Sequence, residues 1–207
     1  MIIGVFASGE GTTLQAVLDA CSQGRLDGSV GVVISNNSKS GALRRAAVMG
    51  IPGRHLSSTT HPDPILLDEA VKVCLDEAKV DLVLLAGFMK KLGPRTLAAY
   101  AGRVLNSHPA LLPKFGGPGM YGEHVHRAVL ASGESVSGAT VHLVVADYDA
   151  GPIISQRSVE VRGDDTPETL ALRVQEIERV LVVDALQAIA RGEVQHSTNE
   201  VAEADLR

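Results

Sequence analysis

Short apolar runs alternate with helical periodicity through the first half of the chain, and this alternation is what most constrains the fold. Ile2–Phe6 and Val30–Ile34 have the apolar character of β-strands. Asp81–Ala86, written DLVLLA, is apolar almost without interruption, as is typical of a strand buried on both faces. Between these runs, helices are predicted at Ala42–Met49 and Pro64–Ala78. Repeated strand–helix–strand units imply a parallel sheet with helices on both faces.

The second half of the chain adds strands of another kind. Ala139–Val145 and Ile153–Val161 have strand character, and the short connection between them predicts an antiparallel pair. Thr166, followed by Pro and Glu, is a strong helix start, and the helix is expected to reach about Arg191. We therefore predict an α/β fold, a Rossmann-like, mostly parallel open sheet with helices on both faces and antiparallel strands added in the C-terminal half.

Length and composition favour one globular domain. The 207 residues show no internal repeat or linker, so we expect a single domain over residues 1–207, with the polar residues 192–207 as a loose tail. A hydrophobic fraction of 45% is enough for a full core. A net charge of −5 without a long basic run argues against nucleic-acid binding.

The chain shows no signal for export or for a membrane. Cys21 and Cys74 are far apart, so a disulfide framework or a cysteine metal site is not indicated. The first residues lack the basic segment and cleavage site of a signal peptide. No apolar run approaches the roughly 20 residues needed to span a bilayer. We expect a soluble, cytoplasmic protein that binds neither membrane nor nucleic acid.

The strongest chemical signal is the segment Asn106–Lys114, NSHPALLPK. Asn106 and His108 are two residues apart, so their side chains project to the same side of a strand, and Pro109 limits how far that strand continues. An amide and an imidazole that converge where a strand opens into a loop can hold an oxyanion and transfer a proton. For an isolated Asn-x-His, a strand end with a satisfied histidine is the structural alternative.

Asp149 is the candidate partner of His108. It lies in the turn between the two late strands, where ordinary turn chemistry is the alternative and Asp147 is a rival carboxylate. We predict that Asp149 lies within hydrogen-bond or one-water reach of His108. Such a carboxylate would orient the imidazole and raise its pKa above the usual value of about 6.5.

The other histidines give weaker signals. His142 lies in a strand and is assigned to packing. His124 and His126 lie at a helix start, and two residues that are two apart on a helix do not face each other. We therefore expect no metal site there.

Two further segments are candidates for binding. Ser8–Thr13, SGEGTT, follows the first strand and opens the first helix, where backbone N–H groups can hold an anion. A purely structural strand-to-helix turn explains it equally well, and Glu10 should point away from any phosphate. Gln175 and Glu178 share one face of the late helix. Either they belong to a solvated polar face, or they bind the hydroxyl groups of a sugar.

Together these motifs resemble the phosphoribosylglycinamide formyltransferases, which are folate-dependent enzymes of purine synthesis. The likeness covers about residues 2–191. Its most specific part is residues 101–114, AGRVLNSHPALLPK. Residues 84–89 (LLAGFM), 138–142 (GATVH) and 149–154 (DAGPII) support it.

The resemblance implies direct transfer of a formyl group from 10-formyltetrahydrofolate to the amine of glycinamide ribonucleotide, without a metal. It implies that protonated His108 and Asn106 stabilise the formyl oxygen and that Asp149 keeps His108 charged. The implied site has catalytic residues Asn106, His108 and Asp149, phosphate contacts from Gly11, Thr12 and Thr13, ribotide contacts from Gln175 and Glu178, and a folate pocket of Phe88, Met89, Lys90, Leu92, Val144 and Asp147. Residues 1–100 would bind the ribotide and its phosphate, and residues 101–191 would bind folate and carry the catalysis. A homodimer is compatible with this resemblance.

Three other kinds of protein are alternatives to this interpretation. Methionyl-tRNA formyltransferases carry a further C-terminal domain and formyltetrahydrofolate hydrolases a further N-terminal domain. Neither is expected here, because the first strand starts at Ile2 and a short tail follows Arg191. A non-catalytic nucleotide-binding module would use only Ser8–Thr13 and would have no use for the Asn-x-His pair.

Overall fold

One seven-stranded sheet organises the chain in the computed structural model, which describes residues 1–194. Residues 195–207 of the expected loose tail lie outside the described residues. The strands are β1 (Ile2–Phe6), β2 (Ser29–Ser35), β3 (Gly53–His55), β4 (Leu82–Leu85), β5 (Val104–His108), β6 (Val136–Leu143) and β7 (Ile153–Glu160). The helices are α1 (Thr12–Ser22), α2 (Gly41–Val48), α3 (Pro64–Glu77), α4 (Pro94–Ala99), α5 (Glu123–Ser132) and α6 (Pro167–Ala190).

The order of the strands confirms the predicted fold class. Across the sheet they run β3-β2-β1-β4-β5-β6-β7. The first five pair in parallel, whereas β6 pairs antiparallel with both β5 and β7. In the β5–β6 pair, Asn106 lies opposite His142 and His108 lies opposite Thr140. The antiparallel pairing thus brings His142 and Thr140 beside the Asn-x-His segment.

Alternate residues of the central strands pack into two different cores, as a sheet covered on both faces requires. On β1, Val5 contributes to a core shared with α1, α5 and α6, whereas its neighbour Phe6 contributes to a core shared with α3. On β4, Leu84 and Val83 divide between the same two cores. Both faces of the sheet are therefore buried, and its edge at the carboxyl ends of the strands stays available for ligands.

The differences from prediction lie in local elements. No element was predicted at Pro94–Ala99, where α4 begins after Gly93. The carboxylate of Asp68 on α3 accepts hydrogen bonds from the N–H groups of Arg95 and Thr96, at 2.8 and 3.1 Å. This cap comes from another helix, so the sequence around residue 94 does not show it. Strand β6 begins at Val136 and ends at Leu143, earlier at both ends than predicted.

No helix within residues 1–194 is both long enough and apolar enough to cross a membrane.

Candidate active site

The main cleft opens at the carboxyl ends of β4 and β5 and has a volume of about 720 Å³. The loop after β4, the end of β5, the loop before α5, and α6 all contribute to its wall. Besides His108, seven residues of the predicted site line the cleft: Phe88, Met89, Lys90, Asn106, Asp149, Gln175 and Glu178. His108 also lines it, so the structure brings together the three predicted catalytic residues.

His108 is held by contacts at both ring nitrogens. Its Nε2 lies 2.8 Å from the carbonyl oxygen of Phe115. Because a carbonyl only accepts, Nε2 carries the proton. Its Nδ1 lies 3.6 Å from Oδ2 of Asp149, and the predicted proximity of His108 and Asp149 is confirmed. Asp147 instead lines a smaller neighbouring cavity.

The predicted direction of the pKa of His108 is wrong. His108 is only 3% exposed, and this burial lowers its pKa below 6.5. Asp149 and the carbonyl of Phe115 act in the opposite direction but do not outweigh burial, and His142 adds to the lowering. Desolvation penalises the imidazolium more than the carboxylate stabilises it. His108 is therefore mainly neutral at pH 7.

Asp149 is fixed between two histidines. Its Oδ2 accepts a hydrogen bond from the N–H of Gly117 at 2.9 Å, and its Oδ1 lies 3.5 Å from Nε2 of His142. Burial alone would raise the pKa of this carboxyl, but contacts with His142, Gly117 and His108 outweigh burial and lower it. Asp149 also has a φ of 54°, in the left-handed region that Asp tolerates better than most residues. The turn thus holds an ionised carboxylate in the cleft.

His142, assigned to packing from the sequence, is a fourth member of this cluster. It is 2% exposed, and its Nδ1 lies 2.8 Å from the carbonyl oxygen of Leu143, so Nδ1 carries a proton. The amide nitrogen of Asn106 lies 3.1 Å from Nε2, and because an amide nitrogen only donates, Nε2 is the acceptor of this hydrogen bond. This bond occupies one N–H of Asn106 and leaves the other for a ligand. The contact between Asn106 and His142 follows from the register of β5 and β6, which the sequence alone does not show.

Glu178 is buried, which rules out the solvated-face interpretation for this residue. It is 9% exposed, and Oε1 accepts a hydrogen bond from the hydroxyl of Ser107 at 2.5 Å. Burial raises the pKa of the Glu178 carboxyl, while Ser107 and the neighbouring Arg179 act in the opposite direction. Gln175, one helical turn earlier, is exposed in the same cleft. The two side chains therefore form a polar wall on α6.

The predicted folate-pocket residues surround Asn106 and Asp149 on two sides. Phe88, Met89 and Lys90 line the main cleft. A smaller cavity of about 90 Å³ also contacts Asn106 and Asp149, and its other lining residues include Leu92, Val144, Asp147, Phe88 and Lys90. Apolar walls with a few carboxylates suit a flat heterocycle that carries N–H donors. The residues present thus fit a pterin.

The residues predicted to hold the phosphate do not lie beside the catalytic cluster. The lining of the main cleft, as far as residues 1–194 describe it, includes none of Gly11, Thr12 and Thr13. Thr12 lines a separate cavity between α1 and α6. Gly11 has a φ of 71°, and a Cβ there would lie 2.8 Å from Cα of Ala42. Packing against α2 is thus sufficient to require this glycine. Glu10 points outward and pairs with Arg44 at 3.2 Å.

His126 is a further buried imidazole of the cleft. It is 3% exposed, and its Nδ1 has no hydrogen-bond partner within the described structure. Burial and the nearby His108 lower its pKa. Among residues 1–194, no group of three or more His, Cys, Asp or Glu side chains is arranged to hold a metal ion.

A proton acceptor and an amide donor thus face one region of the cleft, an arrangement suited to transfer of an acyl-type group. The chain belongs to the formyl transferase family, which it matches over residues 1–186. It is 40% identical over 194 residues to a chloroplastic phosphoribosylglycinamide formyltransferase of Arabidopsis thaliana, and the match covers 93% of this chain and 66% of the plant protein. The chain therefore spans about two thirds of that relative.

Bacterial relatives match over more of their length. The phosphoribosylglycinamide formyltransferase of Escherichia coli is 36% identical, with 96% of this chain and 92% of the relative covered. The crystal structure of a glycinamide ribonucleotide transformylase from Symbiobacterium toebii aligns with a TM-score of 0.87 at 41% identity, over 93% of this chain and 88% of that one. A formyltetrahydrofolate deformylase from Pseudomonas syringae aligns with a TM-score of 0.84 at 27% identity, over 94% of this chain and 62% of that one.

Proposed function

We propose that this chain transfers the formyl group of 10-formyltetrahydrofolate to the amine of glycinamide ribonucleotide. The observation that carries the proposal is the convergence of Asn106, His108 and Asp149 in one cleft, with 3.6 Å between Nδ1 of His108 and Oδ2 of Asp149. Membership of the formyl transferase family and relatives of this activity support it.

In this proposal His108 accepts the proton of the attacking amine. Because Nε2 is committed as a donor to Phe115, the neutral ring presents the lone pair of Nδ1 towards Asp149 and the cleft. As the amine attacks the formyl carbon, Nδ1 takes the proton directly or through one water. The imidazolium that forms then lies beside the Asp149 carboxylate, which stabilises it. When the tetrahedral adduct collapses, the bond between the formyl carbon and N10 breaks, and the imidazolium returns its proton to N10, so that tetrahydrofolate leaves and His108 is neutral again.

Asn106 stabilises the negative charge that develops on the formyl oxygen. One of its amide N–H groups is occupied by His142, so the amide is held in one orientation before the substrates bind. The second N–H is left for a ligand in the cleft that Asn106 lines, where a preorganised donor contributes roughly 3 kcal/mol to stabilisation of the transition state. No step in this scheme requires a metal ion.

The two substrates approach the catalytic cluster from different sides. We place the pterin of the folate among Phe88, Met89, Lys90, Leu92, Val144 and Asp147, where apolar walls meet a carboxylate. We place the ribose of the ribotide at Gln175 and Glu178, and its phosphate at the N–H groups of Gly11, Thr12 and Thr13. In this arrangement residues 1–100 and residues 101–191 both contribute to the ribotide site and to the folate site. The phosphate contacts of the ribotide site come from residues 1–100 alone.

The test is an assay with both substrates. Purified chain is incubated with 10-formyltetrahydrofolate, with and without glycinamide ribonucleotide, and formylated ribotide and free formate are quantified separately. The proposal predicts formylated ribotide in equal amount to the tetrahydrofolate released. Formate release at the same rate in the absence of ribotide would instead identify a formyltetrahydrofolate deformylase, the activity named for the Pseudomonas structure.

We further propose that the protein is cytoplasmic, which suits its free thiols at Cys21 and Cys74. The homodimer stays a prediction, and sedimentation velocity would test it.

A further inference from the structure

Ser8 lies where three loops meet, and the proposed chemistry does not use it. Its hydroxyl donates a hydrogen bond to Oδ1 of Asn36 at 2.6 Å and accepts one from the backbone N–H of Met89 at 2.8 Å. Its own N–H donates to the carbonyl of Gly87 at 3.1 Å. Its carbonyl accepts from the side-chain amide of Asn37 at 3.2 Å. The three polar groups of this half-buried residue therefore make four hydrogen bonds.

These bonds connect the loops that follow β1, β2 and β4, three neighbouring strands of the sheet. Ser8 begins the loop to which the phosphate site is assigned. Met89 belongs to the wall of the main cleft and is 48% exposed. Of these four bonds, the one from Met89 N–H to the Ser8 hydroxyl is the side-chain link between the two loops.

We propose that Ser8 is a positioning residue that couples binding of the ribotide to binding of the folate. The proposal rests on the proposed function, since it takes the two loops as parts of the two substrate sites. The hydroxyl has one hydrogen, and Asn36 fixes its direction, so a lone pair stays aimed at the N–H of Met89. A ligand that orders either loop therefore orders the other, and the coupling is reciprocal.

The substitution Ser8→Ala isolates this coupling. It removes both bonds of the hydroxyl but leaves the two backbone bonds of residue 8, so the loops stay in contact and the fold is retained. Ser8→Thr keeps a hydroxyl at the same position. Ser22→Ala is the matched control, because within residues 1–194 the hydroxyl of Ser22 bonds only to its own helix, through the carbonyl of Asp19 at 2.9 Å.

The experiment measures the Kd of the product tetrahydrofolate by calorimetry, with and without saturating glycinamide ribonucleotide, in the four proteins. The ribotide should tighten tetrahydrofolate binding by roughly threefold to tenfold in the wild type, in Ser8→Thr and in Ser22→Ala. In Ser8→Ala this ratio should fall to about one, while the Kd measured without ribotide changes less.

Three outcomes would each overturn the proposal. The ratio of the tetrahydrofolate Kd without ribotide to that with ribotide could be the same in Ser8→Ala and the wild type, it could be one in the wild type, or it could fall to one in Ser8→Thr as well. The result is separate from that of the formyl-transfer assay. A wild type that makes formylated ribotide but shows no coupling contradicts only the role of Ser8. A wild type that binds both ligands but makes no formylated ribotide contradicts the proposed function.

Discussion

Nδ1 of His108 lies 3.6 Å from Oδ2 of Asp149, while Nε2 of the same ring donates to a backbone carbonyl. The ring therefore has one nitrogen free to accept a proton and a carboxylate placed to stabilise the resulting charge. Asp149→Asn removes this charge but keeps the size of the side chain. We expect kcat to fall roughly 100-fold, the scale of a general acid–base contribution, with smaller changes in both KM values.

Asp184→Asn is the matched control for this variant. Asp184 pairs with Arg157 at 3.1 Å, and that ion pair is largely exposed. Its substitution should leave kcat unchanged. An Asp149→Asn enzyme with the kcat of the control would show that the carboxylate has no catalytic role.

The lowered pKa of His108 fixes the sign of the pH dependence. A base must be neutral before the amine attacks, so kcat should fall as the pH falls below 6.5 and through the folded-state pKa. The contribution of His108 to the stability of the fold depends on pH in the same direction. Since the unfolded state binds this proton more readily, the contribution to the free energy of unfolding is fully present above pH 6.5 and is lost as the pH falls.

A comparison of variants separates this titration from that of the substrate amine, which resembles an α-amino group with a pKa of about 8. Because Asp149 raises the pKa of His108, Asp149→Asn should move the acidic limb of the kcat profile to lower pH. The substrate titrates identically with both enzymes. An acidic limb that moves to higher pH in the variant would contradict this assignment.

The Ser107 hydroxyl should matter for ribotide binding through Glu178. Burial raises the pKa of the Glu178 carboxyl, and the hydrogen bond from Ser107 at 2.5 Å opposes that rise, so Ser107→Ala should raise the pKa further. We expect the KM for glycinamide ribonucleotide to rise about tenfold, as a hydrogen bond to a charged group is worth roughly 1.5–3 kcal/mol. The KM for folate should change little, and steady-state kinetics with each substrate varied in turn would show the difference. Equal increases in both KM values would argue that Ser107 acts only on the fold.

Gly11 and Gly9 offer a matched pair for the loop before α1. A Cβ at position 11 would lie 2.8 Å from Cα of Ala42 on α2, and residue 11 has a φ of 71°, which residues other than glycine rarely adopt. A Cβ at position 9 would have no neighbour within 4 Å. Gly11→Ala should therefore lower the free energy of unfolding by at least about 1–2 kcal/mol, and Gly9→Ala by much less. Thermal unfolding of the two variants measures this directly. Equal melting temperatures would contradict the packing role of Gly11.

The phosphate role of this loop needs a test that leaves the protein unchanged, because any substitution at Gly11 also disturbs its packing. If backbone N–H groups hold the phosphate, the riboside that lacks the 5′-phosphate should show a much higher KM, with the folate KM preserved. The wild-type enzyme with the two substrates provides this measurement. Equal KM values for ribotide and riboside would remove the loop from the substrate site.

The fold was predictable because most strands can be recognised from the local pattern of apolar residues in the sequence. The apolar runs at β1 and β4 and the polar connection before β7 are enough to give parallel and antiparallel parts of one sheet. The beginning of α4 was not predictable in the same way, because its cap is Asp68, 26 residues before Pro94 in the sequence. Local patterns do not report caps supplied by a distant helix.

The catalytic cluster was predictable in part for the same reason. Asn106 and His108 share one strand, so their common side follows from the period of two. The bond from Asn106 to His142 depends on the register between β5 and β6, which no local pattern fixes. The pKa of His108 depends on how completely the loops bury the ring, and burial outweighs the carboxylate that the sequence could suggest.

The most direct test of the central claim is kcat for His108→Ala with both substrates saturating, beside His61→Ala, whose ring lies outside the cleft and contacts Thr60. We predict that kcat falls at least 100-fold in His108→Ala, that both KM values stay close to normal, and that His61→Ala behaves as the wild type. A correctly folded His108→Ala enzyme with near-normal kcat would show that His108 is structural, and would contradict the proposed mechanism.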